Sequence, residues 1–121
     1  MPSTPDIQRL GVTRRWSDAV LFGSTAYFVE VADDPDQPIR GQVAQVLDQI
    51  DARLKAVGSD RTRLLQVQIF LADLADGPVL NELWDVWVPE GHAPSRACVQ
   101  AGLAPRYLVE MVITAALLKP V

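Results

Sequence analysis

The sequence predicts an α+β fold, a mixed sheet of four or five strands with two helices on one of its faces. Three features carry that expectation. One long segment repeats apolar residues at steps of three and four. Leu64–Ala72 alternates with period two, and the stretches between such runs are short and rich in Gly, Pro and Asp. With 121 residues, 49% hydrophobic and 21% charged, the chain reads as one domain over 1–121 with a buried core.

Residues 1–6 hold two prolines among small polar groups and read as a flexible tail. Ile7–Thr13 fits a short edge strand, and 16–18 a loop. Ala19–Phe22 and Thr25–Ala32 are β-rich runs around Gly23-Ser24, a two-residue hairpin turn. The loop 33–38 leads into a helix, where Ile39, Val43, Val46, Leu47, Ile50, Leu54 and Val57 form the apolar stripe and Gly58 marks the end. Within Leu64–Ala72, Leu65, Val67, Ile69 and Leu71 share one face, with Gln66, Gln68 and Phe70 on the other. Asp76-Gly77-Pro78 breaks that strand. Val79, Leu80, Leu83, Val86 and Trp87 then trace a shorter helix up to Pro89, with Trp84 and Trp87 expected in the core. Ser95–Ala101 and Tyr107–Leu118 are strands separated by the turn 102–106. The order is β-β-α-β-α-β-β.

Right-handed crossovers put both helices on one side of the sheet. The opposite face is apolar, since alternation places Phe70, Cys98, Val112 and Ala116 on it. A large exposed apolar patch marks a partner surface, so the chain reads as an obligate oligomer with sheet faces packed inward. A one-residue error in face assignment would swap core and surface. On Ser95–Ala101, Ala97 and Val99 suit packing under the helices, which sends Arg96, Cys98 and Gln100 to the bare face. An arginine there is costly without an anion. Either a ligand carboxylate, which its planar fork fits bidentately, or an ion pair with Glu110 would satisfy it. A guanidinium turned toward the helices would remove this basis for a pocket between subunits.

A net charge of -4 gives no overall attraction for nucleic acid, and Arg14-Arg15 reads as solvated surface. Cys98 is the single cysteine, which forbids an intramolecular disulfide and fits a reducing compartment. No run approaches the roughly 18 apolar residues of a spanning helix, and the N-terminus lacks a signal-peptide pattern. The reading is cytoplasmic, with no membrane partner. One His92 and one Cys98 supply too few ligands for a metal site, and His92 alone cannot complete a nucleophilic triad. No cofactor is expected, and Cys98 reads as a small buried apolar residue.

The stretch Gly91-His92-Ala93-Pro94-Ser95-Arg96-Ala97-Cys98-Val99-Gln100, followed by Val109-Glu110-Met111-Val112-Ile113-Thr114-Ala115, resembles the C-terminal signature of the RidA/YjgF family. Trp16-Ser17-Asp18-Ala19-Val20, Gln68-Ile69-Phe70-Leu71-Ala72-Asp73-Leu74, and Asn81 with Trp84 and Trp87 are similar to it in the same order. The wording around Gly91–Pro94 and Pro105–Glu110 is nearest to the YoaB-type subgroup. The resemblance implies a chorismate-mutase-like fold, homotrimers, and clefts between subunits that bind small carboxylate metabolites. It also implies hydrolysis of reactive enamines and imines to 2-oxo acids and ammonia. Some relatives carry ribonuclease labels, but the acidic charge and the lack of a histidine pair argue against that activity here.

The resemblance further implies that Arg96 holds the substrate carboxylate, that the backbone of Cys98 lines the pocket, that Trp16 caps it and that Asn81 lies near it. For Trp16 simple packing, and for Asn81 a surface or cap hydrogen bond, remain alternatives. Two departures matter. The water-positioning glutamate of active members falls on Val112, and a pocket serine and its neighbouring glycine fall on Val29 and Glu30. The carboxylate clamp is kept while the usual water-activating group is lost. Glu30 could replace that group if burial raised its pKa; the alternative is a charged residue at the sheet margin. A non-catalytic, metabolite-binding or stress-related trimer is the competing reading.

Overall fold

The computed structural model describes residues 6–121. The tail expected over 1–6 therefore lies outside the described residues except for Asp6. Eight strands and α-helices follow in order: β1 (Ile7–Leu10), β2 (Ala19–Phe22), β3 (Thr25–Val31), α1 (Ile39–Val57), β4 (Leu64–Leu71), α2 (Gly77–Trp87), β5 (Ser95–Gln100) and β6 (Val109–Ala116). Six strands form one sheet in the order β1-β2-β3-β6-β4-β5, rather than four or five, because Ile7–Leu10 pairs with β2 as a full edge strand. It stops short of Thr13 because Gly11 takes φ 60, where a side chain would also collide with the Asp18 carboxylate.

The strand expected to break at Asp76-Gly77-Pro78 already ends at Leu71, before a 3-10 turn over Leu74–Asp76, and Gly77 and Pro78 open α2. Proline suits the first helical turn, where its missing N–H costs nothing. The β3-to-β4 and β4-to-β5 connections both join parallel strands and move in the same direction across the sheet. Their helices consequently share one face. Under them lie Phe28, Val67, Ile69, Leu71, Val109, Met111 and Ile113, packed against Val43, Val46, Leu47, Ile50 and Leu54 of α1 and Leu80, Trp84 and Trp87 of α2. A register shift at Leu65 turns it outward, where it is half-exposed; elsewhere β4 alternates as the sequence predicts.

No element among the described residues covers the other face. Across it run the rows Val31–Glu110–Phe70–Val99, Val29–Val112–Gln68–Ala97 and Tyr27–Thr114–Gln66–Ser95. Phe22, Tyr27, Val29 and Val99 each expose 45% or more of their surface. Phe70, Val112 and Ala116 lie on this face as expected. Cys98 does not. No helix among the described residues is long and apolar enough to cross a membrane.

Candidate functional site

The face of β5 is the main correction. β5 runs parallel to β4 with Val67 opposite Arg96, Ile69 opposite Cys98 and Leu71 opposite Gln100. Val67, Ile69 and Leu71 are fully buried under the helices, so Arg96, Cys98 and Gln100 project to the helical side. Ala97 and Val99, expected in the core, belong to the bare face. The cause is that both faces of this sheet are apolar where β5 lies, so hydrophobic alternation carries no sign. An Arg96–Glu110 ion pair is ruled out as well. Glu110 lies on the bare face, in register with Phe70 and Val31.

Arg96 nonetheless occupies an unusual position. β5 is an edge strand, and its Cζ sits 5.3 Å from the ring centroid of Trp84, itself buried in α2. Trp84 thereby fills the core, as expected, and also supports the cation from below. The ring lies under the cation, while the guanidinium N–H groups make no hydrogen bond or ion pair among the described residues. That leaves an exposed planar fork with free donors at an open edge. Cys98 packs part-buried against the core one position further in the strand's alternation. Asn81 is exposed on α2, one turn before Trp84, and its side chain makes no hydrogen bond among the described residues.

The second group lies across the sheet. β3 extends beyond its pairing with β2, which ends at Phe28 opposite Ala19, so Val29–Val31 border a free edge. The loop 11–18 folds beside it. Thr13 N–H donates to the Trp16 carbonyl at 2.7 Å, Thr13 Oγ1 accepts from the Trp16 amide at 3.1 Å, and Asp18 N–H donates to the Leu10 carbonyl at 2.8 Å. The loop presents Trp16 outward at 61% exposure, which rules out simple core packing for it. Trp16, Val29, Glu30, Arg53 and Glu110 together line a cleft of about 680 Å³. Val112 stands next to Val29 in the register on the bare face.

Glu30 lies on the helical side of this edge with only 11% of its side chain exposed. Its Oε1 accepts from Gln49 Nε2 at 3.2 Å, and Arg53 Nε is 3.7 Å from Oε2. Burial pushes the Glu30 pKa up, against the lowering pull of the Gln49 hydrogen bond and the Arg53 charge, with Asp33 adding a small upward push. Gln49 and Arg53 escaped the sequence reading. The available signal was the spacing: Gln45, Gln49 and Arg53 recur every four residues beside the apolar stripe of α1. This polar stripe also stitches down the chain after β3. Gln49 Nε2 donates to the Val31 carbonyl at 2.7 Å, and Gln45 Oε1 accepts from Asp34 N–H at 2.8 Å.

The residues expected at one pocket thus fall into two groups in a single chain. Val29 and Ala97 share a row but stand three strand spacings apart, about 14 Å, and Arg96 points to the other face beyond that. His92 sits in the exposed loop before β5, with Nδ1 3.0 Å from the Glu90 carbonyl, and does not line the cleft beside β3.

Comparison with known proteins fits this arrangement. The family described as "Endoribonuclease L-PSP" matches residues 6–117. A RutC family protein, YoaB of Escherichia coli, is 45% identical over 111 residues, covering 91% of this chain and 97% of the relative. The human 2-iminobutanoate/2-iminopropanoate deaminase is 31% identical over 103 residues, covering 79% and 74% of the two chains. Among solved structures, an uncharacterised protein from Pseudomonas aeruginosa superposes with a TM-score of 0.88 at 47% identity over 92% of this chain and 98% of that one. A YjgF family protein from Neisseria meningitidis gives 0.88 at 39% identity, covering 93% and 95%. With the six-stranded sheet, the two helices on one face and these matches over nearly the full length, the chain belongs to the RidA/YjgF family, in its YoaB subgroup.

Proposed function

We propose that the protein is a homotrimer of single-domain, chorismate-mutase-like subunits that binds small carboxylate-bearing metabolites in clefts between neighbouring copies. The observation that carries this reading is Arg96, stacked on Trp84 at the edge of the sheet with its donors unused. A carboxylate is the group that such a fork fits. Trp16, Val29 and the cleft beside β3 lie too far away in the same chain to meet a small ligand held there. A second copy supplies them. The contact joins two different surfaces, the β5 edge of one subunit and the β3 side of the next, and head-to-tail contacts of that kind close into a three-membered ring when each turns the next copy by one third of a circle. The bare sheet face, with Tyr27, Val29 and Val99 exposed, supports the same assembly. We place the protein in the cytoplasm.

A second reading adds chemistry, the hydrolysis of 2-imino acids to 2-oxo acids and ammonia; the human relative is named a 2-iminobutanoate/2-iminopropanoate deaminase. The partly buried Glu30 carboxylate in the cleft favours it, whereas Val112 and Val29 offer no proton-transfer group and favour a binding role alone. Titration of 2-oxobutanoate by calorimetry tests the binding reading. Wild type should bind, and Arg96→Ala should weaken binding by about tenfold or more, as expected for losing a hydrogen-bonded charge pair. Equal affinities would return Arg96 to a structural role.

A further inference from the structure

We propose that Glu30 is the base that activates the attacking water, oriented by Gln49 and Arg53 from α1. This rests on the hydrolysis reading above and assigns the group that the pocket otherwise lacks. Three observations point to it. Glu30 lines the 680 Å³ cleft together with Trp16 and Val29, on the free edge of β3 where a ligand has access. Its two oxygens are treated unequally: Oε1 is held by Gln49, while Oε2 accepts no hydrogen bond from the described residues. Arg53 Nε, 3.7 Å from Oε2, pairs with it by charge, is shut off from solvent and makes no hydrogen bond, so the Oε2 lone pairs stay free for a water in the cleft.

From a protonated 2-imino acid, the water oxygen bonds to the imine carbon as Oε2 takes a water proton and the C=N electron pair moves to nitrogen. The proton then passes from Glu30 to that nitrogen. The C–N bond breaks and ammonia leaves, while the remaining hydroxyl proton returns to Glu30 and a 2-oxo acid is formed. Release of this proton to solvent or ammonia restores the carboxylate. Overall, iminium and water give 2-oxo acid and ammonium, with no redox partner required.

The groups facing Glu30 fix the sign of its pH dependence. Burial raises its pKa, Gln49 and Arg53 lower it, and Asp33 raises it; Asp18 and Glu110 line the same cleft from the β1–β2 loop and β6. The base is competent above its pKa, so activity should fall on the acid side. Removing the Arg53 charge must move that acid limb to higher pH, an effect that a merely structural arginine would not produce.

The experiment measures 2-iminobutanoate hydrolysis against the uncatalysed rate for wild type, Glu30→Gln and Arg53→Met, with 2-oxobutanoate affinity determined in parallel. The expected result is a loss of about 100-fold or more in kcat for Glu30→Gln, with 2-oxobutanoate affinity kept, and an upward shift of the acid limb in Arg53→Met. Full activity in Glu30→Gln overturns the proposal and leaves hydrolysis standing. A wild type no faster than the uncatalysed reaction overturns both. If Glu30→Gln fails to fold, the Arg53→Met profile decides, and an unmoved acid limb rejects the base.

Discussion

Gln42 shows how much of this architecture depends on single polar side chains. It is fully buried on α1, and Oε1 accepts from Leu108 N–H at 2.9 Å. Its Nε2 lies within 2.9–3.0 Å of the Pro35, Gln37 and Arg106 carbonyls, tying the loop before α1 to the turn before β6. Leucine of similar volume would keep the packing but leave those backbone groups unpaired. Each such group costs about 1–3 kcal/mol if it stays buried, and the loops can recover part of this by opening to water. Gln42→Leu should therefore lose about 2–3 kcal/mol in urea unfolding. A loss below half a kcal/mol would show that the loops rearrange freely. The side chain was visible in the sequence as a glutamine three residues after Ile39, inside the apolar stripe. Hydrophobic periodicity alone passes over such a residue because it scores polarity and not burial.

Among the elements, α1 was the most legible and β5 the least, for opposite physical reasons. α1 is buried on one face only, so its apolar stripe reports which side meets the sheet. It ends at Gly58, as expected, with φ 80; Ser59 N–H donates to the Leu54 carbonyl at 2.8 Å and Ser59 Oγ to the Ala116 carbonyl at 2.6 Å. Apart from its chain neighbours, no heavy atom lies within 4 Å of a Cβ built on Gly58, so a substitution there costs backbone strain without a clash. Gly58→Ala should reduce stability by about 1 kcal/mol, measured by urea unfolding at matched protomer concentration. A neutral effect would mean that the helix end shifts conformation. β5 has apolar residues facing two apolar environments, Cys98 toward the core and Val99 toward the bare face. The order of residues names the strand there without giving its orientation. That ambiguity reversed the side chain of Arg96 and removed the bare-face argument for a pocket between subunits. Arg96 stays a carboxylate-binding candidate on a different ground, its place on the edge strand, where the fork is exposed on the helical side.

At the scale of the whole molecule, the division of the candidate site into two groups makes a demanding test possible. Arg96 and Glu30 sit on opposite margins of the helical face, in neighbouring rows that cross β6 and β4. If each cleft takes Arg96 from one subunit and Glu30 from the next, then Arg96→Ala and Glu30→Gln damage different halves of every cleft. Co-expressed in equal amounts, the two inactive variants should assemble randomly. A cleft is then intact whenever an Arg96→Ala subunit gives its Glu30 to a Glu30→Gln neighbour that gives its Arg96, which happens in about one quarter of clefts in any head-to-tail ring. Mixed assemblies should recover about that share of wild-type imine hydrolysis, whereas separately purified variants combined without subunit exchange should recover none. If both residues served a cleft within one chain, no mixture would contain an intact site. Absence of recovery in mixed assemblies of confirmed composition would therefore reject the shared cleft, provided that each variant is inactive alone. Sedimentation of the same samples checks the assembly itself. A Val99→Asp or Tyr27→Asp change on the bare apolar face should shift the protein toward lone subunits, since a carboxylate buried there without a partner is disfavoured by several kcal/mol. A wild type that sediments as a monomer at micromolar concentration would leave Arg96 and the β3 cleft with no means of meeting.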